Sequence, residues 1–138
     1  MYETRAIGAD AVLLIAAALP DDALLTSLRK LADELGLGAL VEVHDDVELD
    51  RALEAGATVV GVNARDLGTF GEDLGVSEHL SGRIPPDVVA VAESAIRAPD
   101  DARRMADAGY DAVLVGEALV RSDDPAALVQ AMSQHSVR

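Results

Sequence analysis

Half of the 138 residues are hydrophobic but only 2% are aromatic, so the core has to be assembled from Ala, Val, Leu and Ile. Twenty-five acidic against eleven basic residues give a net charge of −14, a surface that repels nucleic acid and anionic membranes and argues against both as partners. The absence of cysteine excludes disulfides and thiolate metal sites, and three scattered His make no metal-ligand pattern, so no metal or cofactor is expected.

The opening residues, Tyr2 to Ile7, read as the tail of a helix that ends at Gly8. Ala11 to Ile15 is a continuous apolar run and reads as a buried strand. The longer run to Leu19 is too short for a membrane span and is followed by Pro20-Asp21. With no signal peptide in evidence, the expected location is the cytoplasm. Pro20-Asp21-Asp22 opens a helix whose stripe is Leu24, Leu28, Leu31 and Leu35, and Gly36 stops it. Leu40 to Val43 is the second strand. Asp45 or Asp46 caps a helix carrying Leu49, Ala52 and Leu53, which Gly56 ends.

The alternation continues. Thr58 to Val62 is a strand, and a long loop from Asn63 to about Gly75 leads to a weaker helix near Val76 to Leu80. Val88 to Ala92 is the fourth strand. Pro99 suits the first turn of a helix running to Ala108 and ending at Gly109. Ala112 to Val115 is the fifth strand, and Asp123-Asp124-Pro125 opens a last helix with Leu128, Val129 and Met132. The junctions Gly8-Ala9-Asp10-Ala11-Val12, Gly56-Ala57-Thr58-Val59-Val60 and Gly109-Tyr110-Asp111-Ala112-Val113 are alike: a helix-ending Gly, then a buried strand.

Five strands and five helices in strict alternation make a parallel α/β chain with right-handed crossovers, expected to form one domain over residues 1–138. Two architectures satisfy the pattern: an open doubly wound sheet, or five units of a (βα)8 barrel. Length favours the first. The helical tail at the start, with no strand before it, favours the second.

In either architecture a ligand site lies beyond the C-terminal strand ends. Glu42 sits among buried strand residues, where a carboxylate is costly unless paired or put to use as an acid or base; the alternative is a structural carboxylate held by backbone N–H groups or an Arg. His44, two residues on, shares its alternation and is a substrate contact or a loop-packing residue. Asn63 and Arg65 follow the third strand. Arg65 suits a phosphate or carboxylate, or else pairs with Asp66 while Asn63 closes a turn. Leu67 is placed over the mouth. Glu93, on the face of Val89 and Val91, and Ser94 end the fourth strand. Ser94 lacks the flanking glycines of a hydrolase nucleophile elbow. Gly116, after the fifth strand and before a short helix, either admits a phosphate to the backbone or packs closely at a strand end.

Gly8-Ala-Asp-Ala-Val-Leu-Leu-Ile15, Leu40-Val-Glu-Val-His44, Gly61-Val-Asn-Ala-Arg-Asp-Leu67, Val91-Ala-Glu-Ser-Ala-Ile96 and Val113-Leu-Val-Gly-Glu-Ala-Leu119 together resemble the second half of the indole-3-glycerol phosphate synthases, over about residues 2 to 132. The resemblance implies strands four to eight of a (βα)8 barrel and a decarboxylating, dehydrating ring closure of a carboxyphenylamino-deoxyribulose phosphate in tryptophan biosynthesis. Carried over residue by residue, Glu42 matches the catalytic carboxylate on the fifth barrel strand, and Asn63 and Arg65 match substrate-contacting positions after the sixth. Glu93 and Ser94 match the seventh-strand pair near the phosphate, and Gly116 and Glu117 match the eighth-strand turn. Two positions depart: Ala95 stands where the family commonly has Gly, and Ala118 where many members have Ser.

The family also supplies a Glu and a Lys from its first strand and a Lys acid from its third, all upstream of the matched region. Lys30, the only Lys here, is expected on an outer helix. The chain is therefore expected to be inactive alone. Its expected partners are a phosphorylated substrate and either the missing N-terminal barrel portion or a second copy. A stand-alone phosphate-ligand binding module is the alternative from a different class. An isomerase of another phosphosugar barrel is disfavoured by Asn-x-Arg-Asp-Leu and Ala-Glu-Ser occurring together.

Overall fold

A computed structural model describes residues 1–65, 68 and 71–134. Five strands, β1 (Ala11–Ile15), β2 (Gly38–Val43), β3 (Val59–Asn63), β4 (Val89–Glu93) and β5 (Ala112–Leu114), form one sheet. All neighbours are parallel and the order is sequential, β1-β2-β3-β4-β5. The helices are α1 (Tyr2–Ala6), α2 (Asp22–Glu34), α3 (Asp46–Glu54), α4 (Leu74–Ser81), α5 (Pro99–Ala108), α6 (Glu117–Arg121) and α7 (Pro125–Met132). The sequential order, with no reversal, rules out the doubly wound alternative and leaves a partial (βα)8 barrel, open at β1 and β5.

Each unit starts and stops for a visible reason. The Asp21 carboxylate accepts from Ala23 N at 2.9 Å, Asp45 from Glu48 N at 2.8 Å and Asp124 from Ala127 N at 3.0 Å, so the three expected acidic caps sit at helix starts. At the repeated junction, Gly8, Gly56 and Gly109 have φ of 86°, 79° and 101°, a conformation that stops the helix and turns the chain into the strand.

Alternate strand residues divide the sheet into two faces. Leu14, Val41, Val43, Val60, Val62, Ala90 and Ala92 are buried beneath helices, together with Leu25, Leu49, Ala52, Leu80, Ala102 and Met105. The stripe expected on α2 is offset by one position. Leu25 and Ala32 are its buried residues, with Leu28 packed beside them, while Leu24 is 43% exposed. This helix carries Leu on more than one face, and the sheet selects Leu25. Side chains tie neighbouring units laterally. Arg29 Nε donates to Ala55 O at 2.7 Å, and Arg51 reaches the carbonyls of Ala16 and Leu19 and the Asp22 carboxylate. Tyr110, 1% exposed, donates its hydroxyl to Ser77 O at 2.7 Å and so joins the α5–β5 connection to α4.

The second face carries Leu13, Ile15, Leu40, Glu42, Val59, Gly61, Val89, Val91, Glu93 and Leu114. Leu13, Val89 and Leu114 are 47%, 44% and 51% exposed. In a closed barrel this face is the packed interior.

Candidate active site

Strand register sets the site. Ile15, Glu42, Gly61, Val91 and Ala112 form one layer across the inner face, and Asn63, Glu93 and Leu114 form the layer above it, at the C-terminal strand ends. Glu42 and Glu93, 6% and 5% exposed, are the two buried carboxyls of the described residues. The Glu93 side chain folds down over Gly61. A Cβ at Gly61 would lie 1.8 Å from Glu93 Oε1, so a side chain at this strand position would displace the carboxyl from where it lies.

Glu42 Oε1 accepts from Asn63 Nδ2 at 3.1 Å. Asn63 Oδ1 in turn accepts from Arg65 N at 3.0 Å, which fixes both ends of the amide and orients it toward the carboxylate. His44 is held by Glu48: its backbone N–H donates to Glu48 Oε2 at 2.8 Å, and Nδ1 lies 3.0 Å from the same oxygen. Its Nε2 faces Glu42 Oε1 across 3.3 Å without hydrogen-bond alignment. That contact is favourable only with a proton on one side of the gap. Glu93 stands against Glu42. Burial first, then the Glu42 charge and a hydrogen bond with Glu42, push its carboxyl up to about 7, and its Oε1 has no hydrogen-bond partner. Glu93 is thus a carboxyl that can release its proton near neutral pH, set beside a second carboxyl, an imidazole and an oriented amide.

Beside this cluster is a cavity of about 470 Å³ lined by Arg65, Ser94, Ala95, Gly116 and Glu117 among others. Ser94 and Ala95 have φ of 64° and 57°, the left-handed region, so the Ala95 position takes a conformation that glycine adopts without strain. Nothing lies within 4 Å of a Cβ built on Gly116, so the space there is open and the close-packing explanation for this glycine does not hold. Arg65 pairs with a residue seven positions on: its Nε and Nη2 donate to Glu72 Oε1 at 3.0 and 2.6 Å. Arg65 Nη2 also approaches Glu117 Oε2 at 3.5 Å. Glu72 Oε2 accepts from Arg97 Nη2 at 2.6 Å, and Arg65 foremost holds the Glu72 carboxyl below the ordinary range. A second cavity of about 580 Å³ lies on the other side of Arg65 and Glu72, lined by His44, Glu48 and Asn63.

The structure therefore gathers Glu42, Asn63, Arg65, Glu93, Ser94, Gly116 and Glu117 at one end of the sheet. Leu67 and Asp66 lie outside the described residues. Lys30 is exposed on α2, on the helical side. Sequence alone did not point to Gly61, Glu48, Glu72 or Arg97. A glycine inside a strand and a Glu four residues after His44 are signals for the first two; Glu72 and Arg97 carry none. Among the described residues no group of three His, Cys, Asp or Glu side chains is placed to hold a metal ion, and no helix is long and apolar enough to cross a membrane.

The family model described as indole-3-glycerol phosphate synthase matches residues 1–132. Proteins named indole-3-glycerol phosphate synthase from Chloroherpeton thalassium and Chlorobaculum tepidum are each 54% identical, over 92% and 90% of this chain and 48% of each relative. One from Streptomyces coelicolor, named indole-3-glycerol phosphate synthase 1, is 53% identical over 91% of this chain and 46% of its own length. The chain thus spans about half the length of the curated relatives it matches. Among solved structures, 3-hexulose-6-phosphate synthase from Salmonella typhimurium superposes with a TM-score of 0.78 at 22% identity, over 96% of this chain and 65% of that one, a likeness of fold.

Proposed function

The chain belongs to the indole-3-glycerol phosphate synthase family, and on that premise we propose that it is the part of the synthase carrying barrel strands four to eight, with the carboxylate and the phosphate ends of the site. The reaction is the decarboxylating ring closure of carboxyphenylamino-deoxyribulose phosphate. The observation that carries this reading is the placement of Glu42: buried at a strand end, bonded to an amide fixed at both ends, and next to an open cavity lined by Arg65, Ser94 and Gly116.

Glu42 transfers protons at the reacting ring atoms, and Asn63 holds its carboxylate in place. Arg65, Ser94 and the Gly116 turn receive the substrate's phosphate, and Glu93 and Glu117 border the substrate. Ring closure also needs an acid that this chain does not bring to the site. Its one lysine is on α2, on the helical side of the sheet, so the chain alone is inactive and acts once the first three βα units complete the barrel.

The test is an assay for indole-3-glycerol phosphate with two proteins: this chain alone, and this chain joined behind the N-terminal portion of the Chloroherpeton thalassium relative. The joined protein turns over, the chain alone does not, and Glu42→Gln in the joined protein lowers kcat by about 10²- to 10⁴-fold. Robust turnover by the chain alone would overturn the claim of inactivity. A joined protein that folds but is unaffected by Glu42→Gln would overturn the role of Glu42.

A further inference from the structure

Resting on the reading above, we propose that Glu72 is a positioning residue of the site: it holds the Arg65 and Arg97 guanidiniums together at the wall of the cavity, and Arg97 thereby serves as a second cation for the substrate's phosphate.

Backbone contacts place Glu72. It pairs with Arg65 in an antiparallel bridge, Asp73 N donates to Ala64 O at 2.9 Å, and the Asp73 carboxylate accepts from Gly75 N at 2.8 Å at the start of α4. The residue is thus tied to the end of β3 on one side and to α4 on the other. Its side chain is 13% exposed, against 38% for Arg65 and 76% for Arg97, so the carboxylate is the fixed member of the group and the guanidiniums are the ones it orders.

The two carboxylate oxygens are divided between two connections. Oε1 accepts from Arg65 Nε and Nη2, after β3, and Oε2 accepts from Arg97 Nη2, after β4. One negative charge between two guanidiniums offsets their mutual repulsion and lets them stand close together. Both keep donors to spare. Among the described residues no hydrogen bond occupies Arg65 Nη1 or Arg97 Nε and Nη1, and both side chains line the cavity that Ser94 and Gly116 also line. A phosphate monoester, with several acceptor oxygens and up to two charges, suits two guanidinium forks presented together.

Glu72 also repels a phosphate, and two observations decide which effect wins. The mouth is open to water, so the repulsion is screened. Arg97 has Glu72 as its side-chain partner, and without it the substrate itself would have to order a long, mobile side chain. Arg65 would be left with Glu117, at 3.5 Å on an exposed helix. Loss of Glu72 therefore weakens phosphate binding.

The experiment measures kcat and KM of the joined protein, with inorganic phosphate as a competitive inhibitor. Glu72→Gln is expected to raise KM and the phosphate inhibition constant together by about tenfold, while kcat moves by less than about twofold. Arg97→Gln is expected to raise both constants by about three- to tenfold, and by less than about twofold when added to Glu72→Gln, because Arg97 is then already released. Constants that stay put in Glu72→Gln, whatever happens to its unfolding midpoint, overturn the proposal. A fall in either constant also overturns it, by making Glu72 a competitor of the phosphate. Additive losses in the double variant sever Glu72 from Arg97 and overturn it too. Each of these results leaves the synthase reading standing. Should Glu72→Gln not fold, Arg97→Gln, at an exposed side chain, decides: an unchanged KM overturns the proposal and a raised one supports it. A joined protein that does not turn over defeats the synthase reading. Inorganic phosphate titrated into this chain by itself, followed by the amide NMR shifts of Ser94 and Gly116, then decides the present proposal: weaker binding in Glu72→Gln or Arg97→Gln supports it, and equal, tighter or absent binding overturns it.

Discussion

The two faces of this sheet are built from one strand pattern and arrive at different ends. The outer face is finished: Val41, Val43, Val60, Val62 and Ala92 reach 0% exposure beneath helices, and no ionisable group lies among them. The inner face has Leu13, Val89 and Leu114 about half exposed and buries Glu42 and Glu93. Apolar packing is concentrated on the first and buried carboxyls on the second. The lesson is that a barrel's outer layer can be assembled locally, unit by unit, because each helix covers the strands next to it. The interior needs strands from all round the ring, so a partial sheet can complete its outer core and still leave its inner face open.

The most direct way to break this contrast is to truncate one leucine from each face. Leu49 on α3 is fully buried, so Leu49→Ala is expected to cost about 2–5 kcal/mol, through lost transfer energy and the cavity left behind. Leu13→Ala, on the open face, is expected to cost less than about 1 kcal/mol. Denaturant unfolding of both variants checks this. Equal losses would mean that the inner face is already packed in solution. In the joined protein the cost of Leu13→Ala is expected to rise toward that of Leu49→Ala.

The next largest effect is set by pH. Burial and the neighbouring Glu42 charge push the Glu93 carboxyl up to about 7 in the folded chain, whereas an unfolded Glu releases its proton near the ordinary value of 4.5. Between those values the folded state binds more protons than the unfolded one. The stabilisation is therefore fully present below the unfolded pKa and is lost as pH rises through the folded one. The loss over this window is on the order of 3 kcal/mol. Thermal unfolding of the chain from about pH 4.5 to 7.5 checks it, against Glu93→Gln, whose profile lacks this descending limb. A wild-type profile as flat as that of the variant would show that Glu93 is ionised throughout.

Much of this was legible in the residues. Runs such as Ala11 to Ile15, bounded by a helix-ending glycine and an acidic cap, report strands because β-branched and aliphatic residues in short blocks fit a sheet buried by its own helices. The strands differ from the sequence expectation by a residue or two at Gly38, Asn63 and Glu93, since pairing and not local preference sets where a ladder stops. The site was legible where polar residues interrupt apolar strands, as at Glu42 and Glu93. It was illegible where the contact is made by folding back: Glu72 reaches Arg65 through an antiparallel bridge across the β3–α4 connection, and no periodicity marks that return. The openness of the inner face was not in the strand pattern either. Alternation alone does not say whether a second face will meet more protein.

The smallest effect sharpens the comparison at the mouth, where the inner face passes into its loops. The same substitution, Ala to Gly, is expected to act with opposite sign at two walls of one cavity. At Ala95, φ is 57°, so the methyl group is held in the left-handed region, and Ala95→Gly relieves about 1 kcal/mol of strain, partly offset by the added freedom of the unfolded chain. Ala118 lies within α6, where glycine is the poorer residue, so Ala118→Gly is expected to destabilise by about 0.5–1 kcal/mol. Unfolding midpoints for the two variants separate a turn that is strained because of its residue from an ordinary helical position. If Ala95→Gly destabilises as Ala118→Gly does, the left-handed turn is not held in solution, and the Ser94 end of the cavity is looser than its backbone angles indicate.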